Sequence, residues 1–87
     1  MSIVRNSPRA ILNKLKWRQN YDLGLAEIWY VHRGALNDTK IISGKEIVNL
    51  EKSFMQTKKS MIPYHRIFKI LYKNEIIFKR IKTWRIK

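Results

Sequence analysis

The chain contains no cysteine, and only six of its 87 residues are acidic. Disulfide bonds and thiolate metal sites are therefore excluded. The six carboxylates are scattered without the spacing of a metal site, and the three glycines are isolated rather than gathered in a phosphate loop. No apolar run approaches the roughly 20 residues that span a bilayer, and residues 1–9 lack the apolar core of a signal peptide. We therefore expect a cytoplasmic protein that needs no metal and no cofactor.

Positive charge, in contrast, is abundant. The chain has 19 lysines and arginines against the six acidic residues, a formal net charge of +13. These positive charges repel one another in the folded protein, so a polyanionic partner is the natural explanation for their number. A hydrophobic content of 45% argues against disorder, and neither a basic amphipathic helix nor a lipid anchor points to a membrane surface. The composition predicts one small nucleic-acid-binding domain over residues 1–87, with a basic tail at 83–87.

Local patterns predict an α+β fold. Ser7 as a cap and Pro8 at the first helical position predict a helix over residues 7–16. Alternating apolar and aromatic residues predict strands over 25–32, 39–43, 62–72 and 75–82, with a hairpin turn at Lys73-Asn74. Residues 43–54 fit a helical stripe, but residues 53–57 could equally form a strand, so we expect one helical turn followed by a strand. We expect the N-terminal helix to pack on a curved, mostly antiparallel sheet of four to five strands.

Two short motifs carry residues suited to phosphate and base binding. They are Tyr30, His32 and Arg33 in the first motif, and Tyr64, His65 and Arg66 in the second. An arginine grips a phosphate with two hydrogen bonds, a histidine donates to it, and a tyrosine ring can stack on a base. The alternative is that the tyrosines belong to the core and the histidines are structural. Trp17 and Trp29 are expected to serve packing.

The order of these elements resembles a known family of small archaeal proteins. The helix ends in Lys16-Trp17-Arg18, the aromatic strand runs into His32-Arg33-Gly34, and residues 62–67 read Ile-Pro-Tyr-His-Arg-Ile. This order is similar to the RNA cyclic-group end recognition domain family over roughly residues 7–80. The resemblance implies recognition of RNA ends that carry a 2′,3′-cyclic phosphate, in RNA processing or repair. It also implies that the six motif residues take part in binding.

The C-terminal segment adds further basic residues. They are Lys79, Arg80, Lys82, Arg85 and Lys87, interleaved with Ile81, Trp84 and Ile86. Such a pattern suits phosphate contacts together with one stacking aromatic ring, and a solvated tail is the alternative reading. Family members commonly end in a less basic segment, so this chain is expected to contact an RNA backbone as well as an RNA end.

Two other functions stay open. A sequence-indifferent architectural protein on duplex DNA, associated with the nucleoid, would explain the charge but not the two motifs. A metal-independent ribonuclease or cyclic phosphodiesterase would use one of His32 and His65 as base and the other as acid. We expect a binding protein with no catalytic residues, RNA as its partner and duplex DNA as the alternative. The sequence leaves monomer and homodimer equally open.

Overall fold

The structure is a computed structural model that describes residues 7–80. One helix and seven strands form the fold: α1 (Pro8–Trp17), β1 (Ala26–Val31), β2 (Thr39–Ser43), β3 (Ile47–Leu50), β4 (Phe54–Thr57), β5 (Met61–Pro63), β6 (Ile67–Tyr72) and β7 (Glu75–Lys79). The strands form two antiparallel sheets, one with the order β2-β1-β6-β7 and one with the order β3-β4-β5. The predicted α+β class is confirmed, but two sheets stand where a single sheet of four to five strands was expected.

The helix begins where the sequence predicts. The Ser7 hydroxyl accepts a hydrogen bond from the Ala10 N–H at 3.1 Å, and Pro8 occupies the first helical position. The helix ends at Arg18, which returns to extended backbone. The helix contacts β3 and the turn at Leu23–Leu25. Its packing on a curved sheet stays a prediction.

The segment from β1 to β4 follows the sequence prediction in part. The second strand has the predicted bounds, and a 3₁₀ turn at Gly44–Glu46 then leads into β3. This turn is the expected helical turn, and the strand expected over residues 53–57 is β4. Strand β3, which lies between them, was not predicted. A Cβ at Gly44 would collide with the carbonyl oxygen of Leu23, so this turn requires glycine.

The strand predicted over residues 62–72 is wrong as one continuous element. A 3₁₀ turn at Tyr64–Arg66 divides it into β5 and β6, which belong to different sheets. The hairpin turn that follows β6 is confirmed. Lys73 and Asn74 have φ angles of 52° and 71°, the left-handed conformation that two-residue hairpin turns require.

The two sheets and the helix share one hydrophobic core. Its buried members are Ile11, Leu12, Leu15, Ala26, Ile28, Tyr30, Met55, Ile62, Tyr64, Ile67 and Ile70. Fully burying one such aliphatic side chain stabilises the fold by roughly 1.5–3 kcal/mol. In β1 the core residues alternate with Glu27 and Trp29, so one face of the four-stranded sheet lies on the core and the other faces outward.

Candidate nucleic-acid interface

Strand pairing brings the two sequence motifs together. β1 and β6 are antiparallel neighbours, with Tyr30 paired to Ile67. The first motif continues beyond this pair at the end of β1, and the second motif directly precedes it at the start of β6. Because antiparallel strands place the end of one beside the start of the other, both histidine–arginine pairs lie at the same end of the four-stranded sheet. We call this region the sheet end.

The first motif leads into a tight loop. The His32 N–H donates to the Asp38 carbonyl at 2.9 Å, and the His32 carbonyl accepts from the Ala35 N–H at 3.1 Å. Gly34 has a φ of 95°, a conformation that glycine adopts without steric cost. The imidazole of His32 stands edge-on to the Tyr30 ring, with 6.2 Å between ring centroids. This loop leaves Arg33 exposed at the sheet end.

The second motif occupies the 3₁₀ turn before β6. The Tyr64 N–H donates to the Ser53 carbonyl at 3.2 Å, and the Tyr64 hydroxyl donates to the Glu51 carbonyl at 2.6 Å. These two bonds fix the turn to the loop between β3 and β4. Because the tyrosine points inward, His65 and Arg66 follow it on the surface, where both are exposed.

The Arg80 side chain also holds this turn, through hydrogen bonds to two backbone carbonyls. Its Nε donates to the Ile67 carbonyl and its Nη2 to the Tyr64 carbonyl, both at 2.9 Å. Partial burial of the guanidinium lowers its pKa. Arginine has five N–H donors, so two bonds to the backbone leave others for a ligand. The predicted binding residue is therefore also a structural clamp, and its charge lies at the sheet end.

The two motif tyrosines are buried. Tyr30 is 6% exposed and Tyr64 is 8% exposed, and both belong to the core. Burial raises the pKa of each phenol. Neither ring presents an open face to a nucleobase, so their placement does not support the predicted stacking role. It matches the alternative reading, in which the tyrosines hold the motifs against the core.

Lys79 is the last residue of β7 and lies on the outward face of the four-stranded sheet. Strand register puts Ile41, Trp29, Lys69 and Lys79 in one row across the four strands. The Lys69 ammonium stands 3.9 Å from the centroid of the Trp29 ring, within the distance of a cation–π contact. Trp29 is half-buried and takes part in a surface contact rather than in the core. This row gives the outward face two positive charges.

The remaining predicted binding residues, Lys82 and Arg85, lie outside the described residues. Within residues 7–80, no group of three or more histidine, cysteine, aspartate or glutamate side chains is arranged to hold a metal ion. Over the same residues, no helix has the length and hydrophobicity to cross a membrane. What the sheet end offers is imidazole and guanidinium groups, a donor set suited to binding phosphate.

Comparison with known families finds a family model that matches most of the chain. The model of the MJ1316 RNA cyclic group end recognition domain matches residues 5–80. The chain belongs to this family. Members of the RNA cyclic group end recognition family occur in methanogenic archaea under the name UPF0248 protein. The family description is that of an RNA-binding domain.

Relatives in this family match over most of their length. The UPF0248 protein of Methanococcus maripaludis strain C7 is 39% identical over 74 residues, which cover 83% of this chain and 96% of the relative. The UPF0248 protein of Methanocaldococcus jannaschii is 35% identical over 74 residues, covering 83% and 91%. No solved structure matches this member of the RNA cyclic group end recognition family.

Sequence reasoning missed two lysines that the strand register places beside β1. Lys40 pairs with Tyr30 across β1 and β2, and Lys69 pairs with Trp29 across β1 and β6. Strand β2 also contains Thr39 and Ser43, so Lys40 gave no local signal. Lys69 is the one charged residue of strand β6, and that exception was the available signal. Its meaning depends on which strand lies alongside, which the local pattern does not contain.

Proposed function

We propose that this protein binds RNA ends that carry a phosphate or a 2′,3′-cyclic phosphate. His32, Arg33, His65 and Arg66 would form the anion site at the sheet end. The observation that carries the proposal is the pairing of β1 with β6, which gathers the two histidine–arginine pairs at one place. The family description of RNA cyclic-end recognition supports the choice of ligand.

The chemistry of the sheet end suits a terminal phosphate. An internal phosphodiester carries one negative charge, and its two bridging oxygens are flanked by the chain. A terminal phosphate or cyclic phosphate is open on one side, so donors can approach it from several directions. Two guanidinium groups and two imidazoles provide donors of this kind, and bidentate arginine contacts add geometric specificity.

We propose a binding role rather than a catalytic one. Acid–base cleavage by two histidines requires each to reach a different oxygen of the same phosphorus in the reacting geometry. The sheet end fixes the backbones of both motifs through hydrogen bonds. Binding a phosphate requires only that the backbones of the two motifs be held in place at the sheet end. RNA processing or repair would be the setting in which such an end reader acts.

The primary test is fluorescence anisotropy at two salt concentrations. Four probes are compared: single-stranded RNA with a 2′,3′-cyclic phosphate, the same RNA with a hydroxyl end, single-stranded DNA and duplex DNA. Preference for the cyclic-phosphate RNA that survives at higher salt is the expected result. Equal or tighter binding to duplex DNA that collapses with salt would instead identify an architectural DNA-binding protein, since backbone neutralisation is strongly salt-dependent.

A charge-matched pair of variants localises the site. Arg66→Ala removes one positive charge at the start of β6, and Lys73→Asn removes one just past its end, roughly 20 Å away along the strand. Asparagine is chosen because residue 73 has a φ of 52°, which asparagine tolerates. Arg66→Ala should weaken binding to the cyclic-phosphate RNA about tenfold, and Lys73→Asn less than about twofold. Equal small losses would contradict a focused site.

A further inference from the structure

A cleft of about 340 Å³ opens beside the sheet end, between strand β2 and the turn that joins β4 to β5. We call it the Lys40–Lys59 cleft. Its lining includes Tyr30, Lys40, Glu46, Lys59 and Ser60. Sites for small ligands have volumes of about 300–1,000 Å³. The cleft is therefore large enough for a single nucleotide, and Lys40, Lys59 and Ser60 are exposed on its walls.

One wall carries a buried polar group that the fold does not use. Tyr30 is 6% exposed, and no group within residues 7–80 makes a hydrogen bond with its hydroxyl. A buried hydroxyl without a partner is costly, and such groups are rare in folded proteins. Tyr64, the matching residue of the second motif, does have a partner. Because Tyr30 lines the cleft, we expect its hydroxyl to serve a ligand there as a donor.

The two lysines of the cleft are also unpaired. Neither ammonium forms an ion pair or hydrogen bond with another group in residues 7–80. Lys59 sits on a turn fixed by Thr57, whose hydroxyl donates to the Ser60 carbonyl at 2.9 Å and accepts from the Lys59 N–H at 3.2 Å. The turn therefore holds Lys59 across the cleft from Lys40, which projects from the edge strand β2.

We infer that this cleft holds one nucleotide of a bound RNA strand, with its phosphate between the ammonium groups of Lys40 and Lys59. The Glu46 carboxylate makes a nucleotide a better ligand for this cleft than a bare anion. It repels inorganic phosphate but accepts a hydrogen bond from a ribose hydroxyl or a base amino group. A lining of two cations, one carboxylate and hydroxyl groups thus matches a nucleotide better than a free phosphate ion.

The cleft continues directly into the sheet end. Tyr30 lines the cleft, and its ring contacts His32, two residues further along the chain. Two residues of extended strand span roughly 7 Å, a distance comparable to the step between successive phosphates of a nucleic-acid strand. The inference rests on the proposed function in this respect: the RNA end occupies the sheet end, and the neighbouring nucleotide occupies the cleft.

The direct test is an NMR titration of the full chain, with backbone amides as reporters. The probes are uridine 3′-monophosphate, uridine and inorganic phosphate at equal concentrations. The nucleotide should shift the amides of Lys40, Lys59 and Ser60, and the other two probes should shift them much less. Shifts confined to residues 32–34 and 64–66 would overturn the inference, as would equal shifts with inorganic phosphate.

Variants then test the individual contacts. Lys40→Ala and Lys59→Ala should each weaken nucleotide affinity about tenfold, while the Lys73→Asn control stays within about twofold. Tyr30→Phe removes only the hydroxyl and should weaken affinity about threefold without lowering the melting temperature. Unchanged affinity in both lysine variants would overturn the placement of the phosphate, and unchanged affinity in Tyr30→Phe would overturn the contact with its hydroxyl.

The two proposals fail in different ways. If Arg66→Ala abolishes preference for cyclic-phosphate RNA while both cleft lysine variants bind normally, the cleft inference is wrong and the proposed function stands. If the cleft variants lose nucleotide affinity but the protein does not distinguish a cyclic phosphate from a hydroxyl end, end recognition is wrong and the cleft assignment stands.

Discussion

The two tyrosine–histidine–arginine motifs look alike in the sequence but sit in different structural settings. Tyr64 lies in a turn where it donates hydrogen bonds to the Ser53 and Glu51 carbonyls and accepts one from Arg80. Tyr30 lies at the end of a strand, and its hydroxyl has no hydrogen-bond partner within residues 7–80. The same residue types therefore serve the scaffold in one motif and leave a polar group available to a ligand in the other. Similar motifs do not imply equal roles.

The largest difference should appear when the clamp on the second motif is removed. Arg80→Met eliminates two hydrogen bonds from a charged donor and leaves the Tyr64 and Ile67 carbonyls without it. Hydrogen bonds to charged groups contribute about 1.5–3 kcal/mol, so the free energy of unfolding should fall by about 2–3 kcal/mol. Urea denaturation measures it. Lys79→Met, the neighbouring exposed position, serves as control and should change stability by less than about 0.5 kcal/mol. Equal midpoints would show that the clamp does not hold the turn.

A double-mutant cycle asks whether the two motifs act on one ligand. Arg33→Ala and Arg66→Ala are measured singly and together for affinity to RNA with a cyclic phosphate. Side chains that share a partner show coupling energies of about 0.5–3 kcal/mol, whereas independent sites add within about 0.3–0.5 kcal/mol. We expect coupling of about 1 kcal/mol. Simple additivity would mean that the motifs contact separate phosphates.

Removing the hydroxyl from each motif tyrosine in turn gives a matched pair of variants whose stability can be compared. Tyr64→Phe removes the donor to the Glu51 carbonyl and should lower the free energy of unfolding by about 1 kcal/mol. Tyr30→Phe removes a hydroxyl that has no partner within the described fold, so stability should stay level or rise slightly. Thermal unfolding of the free protein measures both. A larger loss in Tyr30→Phe would reverse the assignment of scaffold and ligand roles.

The smallest expected effect is alkaline destabilisation. Burial raises the pKa of both Tyr30 and Tyr64 above the ordinary value of 10.0, so the folded state keeps these protons more firmly than the unfolded state does. The resulting stability is fully present below about pH 10 and declines as pH rises further. Urea unfolding between about pH 9 and 11.5 should show this decline above about pH 10. A Tyr30→Phe/Tyr64→Phe double variant should flatten it, and an equally steep profile would assign the decline to other groups.

Local sequence signals predicted the elements whose boundaries are set locally. Ser7 and Pro8 define the start of α1 through their own backbone and hydroxyl groups, and the short second strand has the predicted bounds. The prediction failed at residues 62–72, because apolar residues recur on both sides of the turn. What divides this segment is remote: the Tyr64 N–H bonds to Ser53, and the Tyr64 carbonyl accepts from Arg80.

The residues of the candidate site also differ in whether the local sequence indicates them. The motif residues could be recognised in the sequence because histidine and arginine are residue types that bind phosphate. The contribution of Lys40 depends on its pairing with Tyr30 and on the approach of the turn that carries Lys59. Neither follows from neighbouring residues in the chain, since the two sheets must first assemble. The sequence therefore indicated the kind of ligand more readily than the shape of the site.

Edge lysines carry a consequence for behaviour in concentrated solution. β2 and β7 are the outer strands of the four-stranded sheet, and Lys40 and Lys79 lie on them. Outer strands have unpaired backbone groups that can add strands from another molecule, and a lysine opposes this because its charge would lose water on pairing. The charges proposed to bind RNA thus also oppose pairing between copies of the protein. Variants that neutralise them to weaken RNA binding should be more prone to aggregate, and bound RNA should screen the same repulsion.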